Sequence, residues 1–151
     1  MSTATPPTAA PLPDPAEHPG FYEGTAAGEL RVQRCAGCSA DRFPPRPGCP
    51  RCGHPDSTWV ATDGRGSIWS WAVVHGPVLP AYADLVPYPV VVVDLDHGEA
   101  LRMVGNVVAA PGAAIDSVPP GDLAIGAAVE VHFEEVAPGL HLPRWTLTGT
   151  A

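Results

Sequence analysis

The four cysteines of the chain stand as two C-x-x-C pairs, Cys35-Ala36-Gly37-Cys38 and Cys49-Pro50-Arg51-Cys52, separated by ten residues. A C-x-x-C turn sets two thiolates on one side of a backbone loop, and a second such turn completes a tetrahedron. Gly37 and Gly53 are placed to relieve the tight backbone that lets amide N–H groups approach the sulfurs. The spacing predicts a tetrathiolate metal centre with Cys35, Cys38, Cys49 and Cys52 as ligands. Zinc is the expected ion; an iron centre of rubredoxin type uses the same four ligands and is the alternative. Four thiolates leave no coordination position for water or substrate, so the metal reads as a staple. It stands in for the hydrophobic core that a segment of roughly 30 residues cannot build by itself.

Two disulfides would require an oxidising compartment. The chain has no Lys or Arg before Arg31 and no compact apolar run ahead of it, a pattern that reads against a secretory signal. The expected address is the cytoplasm. Apolar runs such as residues 90–93 are short, far below the roughly 20 residues that a membrane span needs.

Composition limits the rest. With 20 Pro and 16 Gly in 151 residues, long helices are excluded and short strands joined by turns are favoured. Residues 1–17 hold most of a Pro-rich arm without aromatic residues, expected to be disordered because it cannot bury enough apolar surface to offset chain entropy. Charge then divides unevenly. Residues 21–60 carry five Arg against four acids, a net of +1, whereas residues 61–151 carry three Arg against ten acids, a net of −7. Lys is absent. The acidic half is a poor match to a polyanion, since nucleic-acid affinity rests largely on neutralising phosphates.

A short helix is expected over residues 21–29, with Gly28 near its end, then an extended piece over 30–33 leading into the first cysteine pair. Beyond Gly66 the pattern is β. Residues 67–75 alternate, with Ile68, Ala72 and Val74 on one face and Trp69, Trp71 and Val73 on the other. A β-branched run at 89–95 and a third strand at 100–108 follow. Strands at 128–136 and 140–148 flank Ala137-Pro138-Gly139 as a hairpin. Five such strands are better closed into a barrel than left with open edges. The expected fold is therefore mainly β, with a short N-terminal helix and a metal-stapled segment over 18–60. A closed five-stranded barrel over 61–151 completes it.

No self-contained active site is evident, and no catalytic residue is assigned. The six His are scattered, and no Ser lies in a nucleophile elbow. His75 reads as a strand-end surface residue, and Asp94 and Asp96 before His97-Gly98 read as the polar end of a hairpin. The aromatic residues say more: beyond the one Trp that a small barrel needs for its core, the others suggest an apolar surface for a ligand or a protein partner.

Phe21-Tyr22-Glu23-Gly24, the two knuckles bracketing Phe43-Pro44-Pro45-Arg46, Gly64-Arg65-Gly66, Val73-Val74-His75, Gly105-Asn106 and Leu142-Pro143-Arg144 occur in that order. Together they resemble the DUF35 family, small proteins with a rubredoxin-like zinc ribbon followed by an OB-fold. The resemblance covers about residues 18–148.

The resemblance implies a helper rather than a solitary enzyme. Proteins of this family pair with thiolase-fold enzymes or with acyl-CoA-handling hydratases, as in archaeal thiolase–synthase assemblies, acyltransferases of phloroglucinol type and aldolases that shorten steroid side chains. It implies a non-catalytic subunit in a hetero-oligomer that docks on the enzyme and helps bind or channel acyl-CoA thioesters. By position, Phe21, Tyr22, Phe43, Arg46 and Arg51 are the candidates for contact with the partner or the CoA moiety. Trp69, Trp71, His75, Tyr82 and Tyr88 are the candidates facing the acyl end. No nucleic acid and no membrane is expected as a partner. The runner-up is a single-strand nucleic-acid binder that stacks bases on an OB barrel, disfavoured by the barrel's charge; an iron redox carrier is a third reading.

Overall fold

The computed structural model describes residues 10–98 and 100–149. The first nine residues of the Pro-rich arm lie outside that range. The rest of the arm contains one 3-10 turn, Pro15–Glu17, begun by Asp14, whose carboxylate accepts the Ala16 N–H at 2.9 Å. Helix α1 (Pro19–Ala26) begins and ends earlier than expected. Pro19 at its first position supplies a backbone already set for the helix. Gly28, at φ +78°, ends it in a Schellman turn: Glu29 N–H reaches Gly24 O at 2.8 Å, and Gly28 N–H reaches Thr25 O at 3.2 Å.

The ribbon is a three-stranded antiparallel sheet of β1 (Arg31–Cys35), β2 (Asp41–Arg42) and β3 (Ser57–Ala61), in the order β2-β1-β3. The two outer strands carry no clear alternation and are not visible in the sequence. Pairing of Arg31 with Ala61 and of Cys35 with Ser57 holds β3 beside the first knuckle.

The remaining strands are β4 (Arg65–Val74), β5 (Tyr88–Leu95), β6 (Arg102–Val107), β7 (Ala128–Ala137) and β8 (Leu140–Leu147). They close into a barrel in the order β4-β5-β6-β8-β7, with β6 and β8 parallel and β4 closing on β7. This is the expected mainly β fold: short helix, four-cysteine ribbon, then five-stranded OB-fold barrel. Ile68, Val91, Val93, Met103, Val107, Val129 and Trp145 fill the interior. Trp145, within the strand expected at 140–148, sits in β8 and is fully buried. α1 packs on β8 and on the ribbon strands, so the helix joins the two halves.

One strand departs from its expected faces. β4 pairs Ile68 with Val93 but Ser70 with Val92, so a bulge at Trp69 inserts one extra residue. Ile68, Trp71 and Val73 then face the interior opposite Val93, Val91 and Pro89, while Trp69 points outward and is 49% exposed. Trp69 and Trp71 therefore lie on opposite faces, and Ala72 and Val74 do not share the face of Ile68. Among the described residues no helix is long and apolar enough to cross a membrane.

Candidate functional site

The two knuckles bring their sulfurs together. Cys35 Sγ stands 3.6 Å from Cys52 Sγ and Cys38 Sγ stands 3.7 Å from Cys49 Sγ; all four lie within 4.8 Å of one another. Thiolates bound tetrahedrally at a zinc–sulfur distance of about 2.3 Å stand about 3.8 Å apart, so the donor set fits such an ion. The separations are far from a disulfide bond, and all four thiols are free.

Local backbone hydrogen bonds build each loop. Cys35 N–H donates to Ala40 O and Ser39 N–H to Cys35 O; in the second loop Cys49 N–H donates to His54 O and Gly53 N–H to Cys49 O. The residue after each second cysteine takes the left-handed conformation, Ser39 at φ 60° and Gly53 at φ +76°. Gly53 fills the role expected of it. Gly37 also brings its amide to a sulfur, donating to Cys35 Sγ at 3.3 Å, and a Cβ there would press on the His54 ring at about 3 Å.

Amide donors distribute the charge. Amide N–H groups of Cys52 and then Arg51 bring Cys49 down to about 6, and the Cys38 amide lowers Cys35. Cys52 receives the His54 amide, which favours its thiolate, yet the neighbouring Cys35 sulfur, burial and the other two sulfurs push it up to about 11. Without a counter-ion one buried sulfur in each knuckle, Cys35 and Cys49, is thus favoured as thiolate, and crowding resists ionisation of Cys52. A divalent cation reverses that order by stabilising all four thiolates.

The aromatic candidates around the helix form one cluster. Phe21 lies edge-on to Tyr22 at 5.2 Å and against Phe43 at 5.8 Å. Phe21 is only 8% exposed, so it supports the cluster from beneath, and Tyr22 and Phe43 form its outer, half-buried part. Arg46 is exposed, but its backbone is held: its N–H donates to Gln33 Oε1 at 2.9 Å and its carbonyl accepts from Arg42 at 3.1 Å. Arg51 sits exposed on the second knuckle.

The barrel candidates do not converge. Trp69 is outside with the Arg102 guanidinium 4.0 Å over its ring, whereas Trp71 packs on the core. His75 is exposed just past the end of β4. Tyr82 and Tyr88 do come together, with ring centres 6.1 Å apart. Asp94 and Asp96 form no carboxylate pair: Asp94 lies 3.9 Å from Arg102, and the Asp96 amide donates to Arg65 O.

Two polar contacts were not foreseen. Asp41 in β2 accepts both ends of Arg34 and meets His97 at 2.8 Å. Arg144 donates to Glu134 at 2.6 Å and to Asn106 at 3.2 Å. Gly105-Asn106 and Leu142-Pro143-Arg144 stand out in the sequence as separate motifs, but nothing local says that they touch.

Residues 59–134 match the ChsH2 C-terminal OB-fold domain, and residues 23–56 match the ChsH2 rubredoxin-like zinc ribbon domain. The chain belongs to the ChsH2 family. It is 36% identical over 123 residues to a probable enoyl-CoA hydratase alpha subunit of Thermomonospora curvata, covering 82% of this chain and 35% of that one. It is 32% identical over 127 residues to the 3-oxo-4,17-pregnadiene-20-carboxyl-CoA hydratase alpha subunit of Mycobacterium tuberculosis, covering 84% and 35%. The chain thus spans about a third of the length of these two relatives. Among solved structures, a chain of an Ltp2-ChsH2(DUF35) aldolase superposes with a TM-score of 0.71 at 34% identity, covering 92% of this chain and 98% of that one. This match confirms the resemblance read from the motifs.

Proposed function

We propose that the chain is a non-catalytic ribbon–OB subunit that docks on a thiolase-fold enzyme and helps bind or channel acyl-CoA thioesters. The complex would be an acyltransferase, a thiolase or an aldolase. One observation carries this reading: the likeness to the aldolase chain runs through both ribbon and barrel and covers nearly all of each chain. The two hydratase subunits, whose names specify CoA thioesters, support the substrate class.

Zinc is the metal of the ribbon, held by Cys35, Cys38, Cys49 and Cys52. It supplies a covalent-strength cross-link between the two knuckles, and four thiolates give it no open position for substrate. The free thiols suit a reducing compartment, in keeping with a cytoplasmic address. Tyr22, Phe43, Arg46 and Arg51 form the docking side, with Phe21 as their support. Tyr82, Tyr88 and His75 are candidates for the acyl end. Trp69 is a surface contact, and Trp71 acts only through the barrel wall.

The test is purification of the tagged chain from its native host, with identification of the companion by mass spectrometry. A stoichiometric thiolase-fold companion, active on acyl-CoA only with both chains present, is the expected result. Recovery of the chain alone, or turnover of acyl-CoA by the homogeneous chain, would overturn the reading.

A further inference from the structure

Asn106 and Arg144 face each other across the short parallel pairing of β6 and β8. Both side chains point out of the barrel, because their neighbours Val107 and Trp145 point in and are fully buried. There they form the floor of a groove of about 510 Å³ on the barrel's outer surface. Tyr82, Leu85, Ile115, Val136, Leu142 and Leu12 supply its apolar lining.

The floor is polar and carries no net charge. Arg144 gives its Nε to Glu134 and one terminal nitrogen to Asn106 Oδ1, so the cation is matched by a carboxylate 2.6 Å away. Because Asn106 Oδ1 accepts from Arg144, the amide cannot be flipped, and its NH2 group faces away from the guanidinium. Among the described residues no acceptor is bonded to that NH2. An anion would find Glu134 in its way. A hydrocarbon would leave the Asn106 donor unpaired. A neutral acceptor satisfies it.

We propose that this groove binds a large, neutral, apolar molecule through a carbonyl oxygen that accepts from Asn106 Nδ2, with apolar rings or chain against Tyr82, Leu85 and Leu142. This is the chemistry of the acyl part of a bulky keto-thioester, and in naming that source the inference rests on the function proposed above. Arg144 is a positioning residue: it fixes the orientation of the Asn106 amide.

The experiment uses the full zinc-loaded chain by itself, titrated with 2-tetralone and, separately, with tetralin, its carbonyl-free counterpart, while amide shifts are followed by NMR. The expected result is saturable shifts confined to residues 81–85, 113–115 and 142–144, with the ketone bound about fivefold more tightly. Asn106→Leu should bring ketone and hydrocarbon to equal affinity. Ala114→Trp, an exposed loop position lining the groove, should abolish binding of both. Equal affinity of the wild-type chain for the two compounds, or shifts elsewhere, overturns the inference even if Asn106→Leu fails to fold. Since no companion enzyme is present, this outcome is independent of whether the chain co-purifies with one.

Discussion

His97 places its Nε2 2.8 Å from Asp41 Oδ2, joining the turn after β5 to the second ribbon strand across 56 residues of sequence. Asp41 is also gripped at both oxygens by Arg34, each at 2.7 Å, and its side chain is 9% exposed. The Arg34 hydrogen bonds, aided by His97 and opposed by burial, hold its carboxyl below the usual carboxylate range. The folded state therefore favours the ionised form. Its contribution to stability is complete above the unfolded value of about 3.9 and is lost as pH falls through the lower folded value. Asp41→Asn keeps the shape but not the charge, and should destabilise the protein by about 1–3 kcal/mol at neutral pH. The gap between wild type and variant in thermal unfolding should close below pH 4. A gap of equal size at pH 3 and pH 7 would show that Asp41 acts through shape alone.

The metal cluster makes a sharper demand. One zinc per chain is expected by elemental analysis, and Cys49→Ser should abolish it, because a site assembled from two loops needs every ligand. Amide exchange in β1 and β3 should become fast, while the barrel strands, whose core holds no cysteine, should keep their protection. Loss of protection throughout the barrel would mean that the two halves fold as one unit.

The bulge in β4 separates two tryptophans that sequence alone puts on one face. Trp71 packs against the core from the inner face, so Trp71→Ala should cost about 3 kcal/mol. Trp69 lies outside under Arg102, and Trp69→Ala should cost no more than about 1 kcal/mol. Urea denaturation of the two variants decides the matter; equal losses would place both rings in the interior.

Why the sequence hides that bulge is physical. Barrel strands are legible where alternation or a β-branched run is unbroken, as at Val90, Val91, Val92 and Val93, and their ends fall within about two residues of the observed ones. A single inserted residue between two large apolar side chains leaves the same letters in the same order. The metal ligands are legible because their geometry is set within four residues of chain. Asn106 with Arg144, and Asp41 with His97, meet across 38 and 56 residues, and only the closed barrel and its docked ribbon bring them together. Ribbon strand β2, with two residues, is too short to carry a period at all.

Two glycines of the sequence motifs have steric roles that can be ranked. A Cβ on Gly66 would run into the backbone carbonyl of Asp94 on the paired strand β5, and neither strand can give way without breaking the ladder. A Cβ on Gly105 would meet the Trp145 indole at 2.9 Å, a side chain that can shift by some tenths of an ångström at the expense of its packing. Gly105→Ala should therefore cost about 1–3 kcal/mol, and Gly66→Ala distinctly more. If urea midpoints rank them the other way, the barrel accommodates strain at the β4–β5 pair and not around Trp145.

The proposed docking side can be tested without disturbing its support. Phe43→Ala alone is ambiguous, because its ring packs on Phe21 and its loss loosens the core. Arg46 offers a cleaner probe: its backbone is anchored to Gln33 and Arg42 whatever side chain it carries. Five of the eight Arg lie in residues 21–60 while the barrel half is acidic, so this side presents the field that suits carboxylates or the phosphates of CoA. If Arg46 and Phe43 are central contacts, the double variant Phe43→Ala, Arg46→Ala should weaken association with the companion enzyme by about 2–4 kcal/mol. Arg46→Ala should account for part of that loss with no change in thermal stability, and its effect should shrink as salt is raised. A double variant that unfolds normally and still binds with unchanged affinity would move the docking surface off the ribbon and onto the barrel.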